Sequence, residues 1–196
     1  MRKIQKFSSM NGRSASQTFE NYDAGGSSVL ELAKKMTQRW AAREKGWFPW
    51  LVLHGPPGVG KSHLASAAVN LLLARGEFVV YMTAPEMLIA LRESFSKQGE
   101  SFGDALDKYL KCEWLVLDDW GAEKASDWAS EVWFTIFNSR YRNGLATMVT
   151  SNLNLSRAGN SGVDERLIDR LNEVGFSILV NVKAKSWREK QKQQDA

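Results

Sequence analysis

Apolar residues gather in five short runs separated by polar and glycine-containing stretches: WLVLH (50–54), FVVYMT (78–83), WLVLDD (114–119), ATMVTSN (146–152) and FSILVNV (176–182). Such near-continuous runs predict strands buried on both faces. Between them the apolar spacing becomes helical. Val29, Leu32, Ala33, Met36 and Trp40 mark a helix over 29–45 that stops at Gly46, and 61–74 predicts a second, stopped by Gly76. Pro85 opens a helix running to about Lys97, and 103–111 predicts another. Trp128, Val132, Trp133, Ile136 and Phe137 give 126–142 an amphipathic helical pattern closed by Asn143-Gly144. DERLIDRLNEV (164–174) predicts the last helix. Strands alternating with helices predict an α/β fold, a five-stranded, mostly parallel sheet with helices on both faces.

Residues 1–17 are rich in Ser, Asn and Gln without periodicity and read as a flexible arm. The regular pattern spans 18–182 as one domain, and 183–196 reads as a basic C-terminal segment. A chain of 196 residues is long enough to bury a core. Its apolar runs are too short to span a bilayer, and the start, MRKIQKFSSMNGRSASQ, has no apolar run behind its basic residues. Neither a membrane nor a secretory signal is expected. One cysteine, Cys112, excludes an internal disulfide and suits a reducing cytoplasm, where it reads as a small buried hydrophobe.

A net charge of +4 fits a polyanionic partner. In KAKSWREKQK (183–192), Lys183, Lys185, Arg188, Lys190 and Lys192 face one acid, Glu189, as a solvated tail or as direct phosphate contacts. Of eight tryptophans, Trp114 and Trp133 read as core. Trp120, beside the acidic pair, either packs under the sheet edge or lies exposed and senses a bound ligand.

The chemistry concentrates at the ends of three strands. Gly55-Pro56-Pro57-Gly58-Val59-Gly60-Lys61-Ser62 fits G-x-x-x-x-G-K-[ST] between a strand and a helix, the context a phosphate-binding loop requires. Glycines let the backbone wrap a phosphate, and the helix N-terminus adds partial positive charge. Lys61 is placed to reach β- and γ-phosphates and Ser62 to ligate Mg²⁺. His54 and His63 flank the loop as packing residues.

Asp118 and Asp119 end the third strand. Asp118 suits Mg²⁺ and Asp119 suits activation of a water, the alternative being two caps on the next turn. Asn152, at the end of the fourth strand, suits a bond to the attacking water or the γ-phosphate; alone it is an ordinary turn residue.

TFENYDAG, GPPGVGKSHLASAAVNLLLARG, WLVLDDWG, TSNL, DERLIDRL and KSWR follow in that order. Over about residues 18–190 this combination resembles the AAA+ ATPases of the DnaC/DnaI helicase-loader group and their IstB-type transposition relatives. The resemblance implies a P-loop NTPase fold of the AAA+ class, with a lid domain minimal or absent, that binds ATP or ADP with Mg²⁺. Gly55 to Ser62 match Walker A, Asp118 and Asp119 match Walker B, and Asn152 matches sensor 1. Arg170 matches the arginine finger that reaches a neighbouring subunit's nucleotide, with Arg166 one turn away to assist. Arg188 matches the sensor 2 arginine that contacts the γ-phosphate within its own subunit. Read from the residues alone, Arg166 and Arg170 equally suit salt bridges with Asp164, Glu165, Asp169 or Glu173, and Arg188 an exposed tail.

The resemblance further implies slow ATP hydrolysis stimulated by assembly or DNA, a ring or spiral in the ATP state, and a replicative helicase and single-stranded DNA as partners. The family usually carries Glu where this chain has Asp119, which is the reason to expect slow turnover. Loaders of this group carry an N-terminal helicase-binding module, and the unpatterned residues 1–17 here lead to the expectation of a trimmed loader or of a stand-alone variant whose partner contact lies elsewhere. For DNA, LRESFSKQGESFGDALDKYLK (91–111) offers Arg92, Lys97, Lys108 and Lys111 among Phe95, Phe102 and Tyr109. The same aromatics equally suit the core. The rival readings are an IstB-like helper of a transposase, a P-loop small-molecule kinase, and a scaffold that binds nucleotide without hydrolysing it.

Overall fold

The computed structural model describes residues 10, 12–95, 101–123, 126–156, 163–184 and 186–187. The elements run α1 (Gly12–Ala15), α2 (Ser28–Ala42), β1 (Trp50–His54), α3 (Lys61–Ala74), β2 (Val79–Thr83), α4 (Ala84–Ser94), α5 (Phe102–Lys111), β3 (Trp114–Trp120), α6 (Asp127–Arg142), β4 (Ala146–Ser151), α7 (Glu165–Leu171) and β5 (Ser177–Asn181). The strands form one sheet in the order β2-β3-β4-β1-β5. Every pairing is parallel, so the expected mostly parallel sheet is wholly so. No helix among the described residues is long and apolar enough to cross a membrane.

Side chains alternate across each strand and so build two cores. Leu51, Leu53, Val116 and Met148 pack with α2 and α3 on one face. Val52, Leu115, Leu117 and Val149 pack with α4, α5, α6 and α7 on the other. Trp114, Trp133 and Cys112 are buried as expected, and Trp120 is buried too. Helix starts follow local rules. Thr83 and Glu86 form a capping box on α4, with Pro85 in its first turn, and Ser101 with Asp104 forms one on α5.

Side chains of α3 hold part of the N-terminal segment. Residues 12–17, read as part of a flexible segment, lie against α3, whose Asn70 donates to the carbonyls of Ser14, Ala15 and Gln17, the last at 2.6 Å. Side-chain-to-backbone bonds of this kind leave no periodicity in a sequence.

Two features position the site. The chain leaves β1 through α3 on one face and crosses to the far edge at β2, then returns through β3 and β4 by helices on the other face. The change of direction opens a crevice at the C-terminal ends of β1 and β4, where α/β sheets bind ligands. The β3–β4 register also shifts between Leu117 and Trp120. Leu117 pairs with Val149 and Trp120 with Ser151, so Asp118 and Asp119 together stand opposite Thr150, a β-bulge.

Candidate active site

The loop after β1 wraps on glycines that a side chain would disrupt. A Cβ at Gly55 would stand 2.5 Å from the Val182 carbonyl oxygen, and one at Gly60 (φ +95°) would meet the Tyr22 ring at 2.8 Å. The loop delivers Lys61 and Ser62 as the first residues of α3, whose N-terminus favours anions.

Lys61 is 5% exposed. Its Nζ donates to the carbonyls of Gly55 (2.7 Å) and Pro56 (2.8 Å) and to Asn152 Oδ1 (2.7 Å). Burial pulls its ammonium down to about 8, against the opposing pull of Asp119 and Asp118. Asn152 then donates through Nδ2 to Asp119 Oδ1 at 2.6 Å. Lys61, Asn152 and Asp119 therefore form one hydrogen-bonded series.

Asp118 lies beneath this series and is 5% exposed. Thr150 Oγ1 donates to its Oδ1, and the Tyr81 hydroxyl donates to its Oδ2 at 3.2 Å. Burial raises its pKa, opposed by hydrogen bonds from Thr150, Ser62 and Tyr81. Ser62 and Asp118 set a hydroxyl near a carboxylate, hard oxygen donors of the kind Mg²⁺ takes. Among the described residues no three acidic, imidazole or thiolate groups converge on a metal site. The residues thus fit a cation held jointly with nucleotide phosphates, which is how Mg²⁺ is usually bound.

The cleft above Lys61 encloses about 660 Å³, within the range of small-molecule sites. Pro57 to His63, Asp119 and Asn152 form one wall, and Arg13, Gln17, Tyr22 and Asp23 of the N-terminal segment form another, with Trp187 at the edge. Sequence reasoning gave these last residues no role. Tyr22 packs edge-on to His63 at 5.2 Å, and its buried hydroxyl has no hydrogen-bond partner. Burial, with Glu31 and Asp23, pushes that phenol up to about 12. His63 Nε2 lies 2.9 Å from the Thr18 carbonyl, which ties the segment to α3. The Trp187 amide donates to the Gly58 carbonyl at 2.9 Å, which brings Trp187 to the loop. Thr150 and Tyr81 were also missed; the only signal was Thr150's place two residues before Asn152.

His54 is buried against Leu155 and Ser156, in keeping with a packing role. Arg170 does not line the cleft. Its guanidinium lies 5.3 Å from the ring centres of both Phe134 and Tyr141, and its Nη1 is shielded without a partner. Arg166 pairs with Asp164 at 2.6 Å and stacks on Phe134. Arg188 lies outside the described residues, as does Lys97. In the 91–111 stretch Tyr109 is buried, while Phe95 is 64% exposed and stacks on Phe102 at 4.7 Å.

A strand–loop–helix phosphate cradle, with an acidic pair at the end of β3 and a polar amide at the end of β4, defines a P-loop NTPase. The chain belongs to the IstB-like ATP binding protein family, whose profile matches residues 1–195. It is 28% identical over 171 residues to the replicative helicase loader DnaC of Escherichia coli K12, covering 87% of this chain and 69% of that protein. It is 29% identical over 178 residues to a putative ATP-binding protein in an insertion sequence of Mycobacterium tuberculosis, covering 85% of this chain and 67% of that protein. Among solved structures it is similar to the replication initiator DnaA bound to AMPPCP and single-stranded DNA, with a TM-score of 0.73 and 25% identity, covering 91% of this chain and 55% of that one. The fold is that of the AAA+ ATPases.

Proposed function

We propose that this chain is an ATP-hydrolysing AAA+ domain that works in the cytoplasm on a replicative helicase and single-stranded DNA. The observation that carries the hydrolytic part is the series Lys61–Asn152–Asp119, with Asp118 beneath it and Ser62 beside it. The similarity to DnaC over 87% of the chain supports the partner. The DNA-bound DnaA neighbour supports a single strand as ligand.

The loop amides and the α3 N-terminus would hold the phosphates, and Lys61 would exchange its carbonyl partners for β- and γ-phosphate oxygens. Asn152 Oδ1, released by Lys61, is then free to orient a water. Asp119, held by Asn152 Nδ2, would take that water's proton as it attacks the γ-phosphorus. Ser62 and Asp118 would hold Mg²⁺, which when bound supplies charge neutralisation on the β- and γ-phosphates. Asp119 is one methylene shorter than the Glu usual in the family, so its carboxylate stands further back and turnover is slow. The acidic pair and amide suit water as acceptor, which separates this site from a small-molecule kinase.

Arg170 would act across a subunit boundary. It stands outside its own cleft, beside Phe134, which lines a hollow of about 390 Å³ with Arg142 on the outer face of α6. A neighbour's γ-phosphate presented there would meet a guanidinium suited to forked binding. Arg188 would contact the γ-phosphate in cis. The ATP state would then be a ring or spiral.

A second reading has its own support: the family and the mycobacterial insertion-sequence relative favour an ATPase that assists a transposase. One experiment addresses site and partner. Lys61→Ala and Arg170→Ala proteins are each expected to be nearly inactive, while an equal mixture recovers roughly a quarter of wild-type phosphate release, because a Lys61-bearing site then meets an Arg170-bearing neighbour. A mixture as inactive as its components contradicts shared sites. Wild-type protein with ATP is expected to capture the replicative helicase; capture of a transposase alone selects the second reading.

A further inference from the structure

We propose that Thr150 is the positioning residue of the acidic pair, using one hydroxyl to hold Asp118 and the backbone of Asp119 together. The proposal rests on the ATPase reading and concerns how its carboxylates are held apart and aimed.

The bulge sets Asp118 and Asp119 against Thr150, so the regular backbone ladder is interrupted there. Side chains of β4 replace it. The Thr150 hydroxyl donates to Asp118 Oδ1 and accepts the Asp119 backbone N–H at 2.9 Å. Ser151 Oγ donates to the Trp120 carbonyl at 2.6 Å. A hydroxyl has one proton and two lone pairs, so directing its proton to Asp118 leaves a lone pair for the Asp119 amide. One group therefore fixes a side chain and the next residue's backbone.

Asp119 has φ +56°, in the left-handed region that residues other than glycine rarely occupy. That turn aims its carboxylate at Asn152 rather than continuing the strand. Thr150 is 1% exposed, so removing its hydroxyl would leave the Asp119 amide without water to replace the bond. The backbone would relax toward an extended strand, and the Asp119 carboxylate would leave Asn152. Asp118 would be left with only the longer Tyr81 bond to its other oxygen. A valine preserves the shape of threonine and removes only this chemistry.

The test compares Thr150→Val, Thr150→Ser and Ser151→Ala. Amide exchange at Asp119 is read by NMR in nucleotide-free protein, and AMPPCP affinity is read by calorimetry with Mg²⁺ and with EDTA. In Thr150→Val, Asp119 exchange is expected to quicken at least tenfold, and the tightening of AMPPCP by Mg²⁺ to shrink by roughly tenfold. Thr150→Ser restores both to within about threefold. Ser151→Ala, equally buried on the same strand but bonded to the Trp120 carbonyl rather than to either aspartate, leaves the Mg²⁺ dependence as in wild type and changes Asp119 exchange by less than about threefold. Should the valine protein not fold, Thr150→Cys carries the same comparison, its thiol being a weak partner. Wild-type exchange and wild-type Mg²⁺ dependence in Thr150→Val overturn the proposal, as does a serine variant that behaves like valine. If wild-type protein fails to bind AMPPCP, the ATPase reading falls, while Asp119 exchange still decides the role of Thr150.

Discussion

Gly60 and Lys61 show how much the site asks of single residues. Gly60 adopts φ +95° and packs at the contact limit against Tyr22. Gly60→Ala combines left-handed strain of about 1–2 kcal/mol with a displaced tyrosine. Calorimetry is expected to show ATP affinity at least tenfold weaker, and unchanged affinity would show that the loop tolerates a Cβ. Lys61 is held charged in a site where burial lowers its pKa to about 8. Below that pH the ammonium is ready for phosphate. Above it the empty site holds a neutral amine that must regain a proton when nucleotide arrives. ATP affinity should therefore be flat below about pH 8 and fall by up to about tenfold per pH unit above it. Titrations at pH 7 and 9.5 check this, with Lys61→Met as the variant in which the dependence disappears.

At the scale of elements, the strands and long helices were legible because their signals are periodic. β1 and α3 occupy the residues that apolar runs and the glycine-lysine loop predict. The acidic pair and Asn152 were legible because they end strands, and the structure joins Asn152 to both Asp119 and Lys61. The bulge was not legible. Whether Asp119 turns left-handed depends on Thr150, a non-local bond between strands far apart in the chain. The N-terminal segment was illegible for the same reason, since Asn70 and His63 hold it rather than a pattern of its own. Its Tyr22 lies in the cleft wall, which makes segment and site one unit. Asn70→Ala removes the bonds to three carbonyls and is expected to speed amide exchange over 12–24 by about tenfold or more, with α3 otherwise intact. Unaltered exchange would mean that the segment is held by other contacts.

At the scale of the whole molecule, an all-parallel sheet brings the ends of β1, β3 and β4 to one edge, so residues far apart in sequence meet around one cleft. Arg170, beside Phe134 and Tyr141, stands apart from that cleft, and on the proposed function it would give the domain a second face for the same reaction. All of this depends on Asp119 activating water against the γ-phosphate. The most direct measurement is phosphate release from ATP, with no acceptor added, by wild-type and Asp119→Asn proteins whose ATP affinities are determined alongside. Slow release by wild type, reduced at least a hundredfold in Asp119→Asn with affinity kept within about threefold, is the predicted result. Equal release by the two proteins would contradict the account.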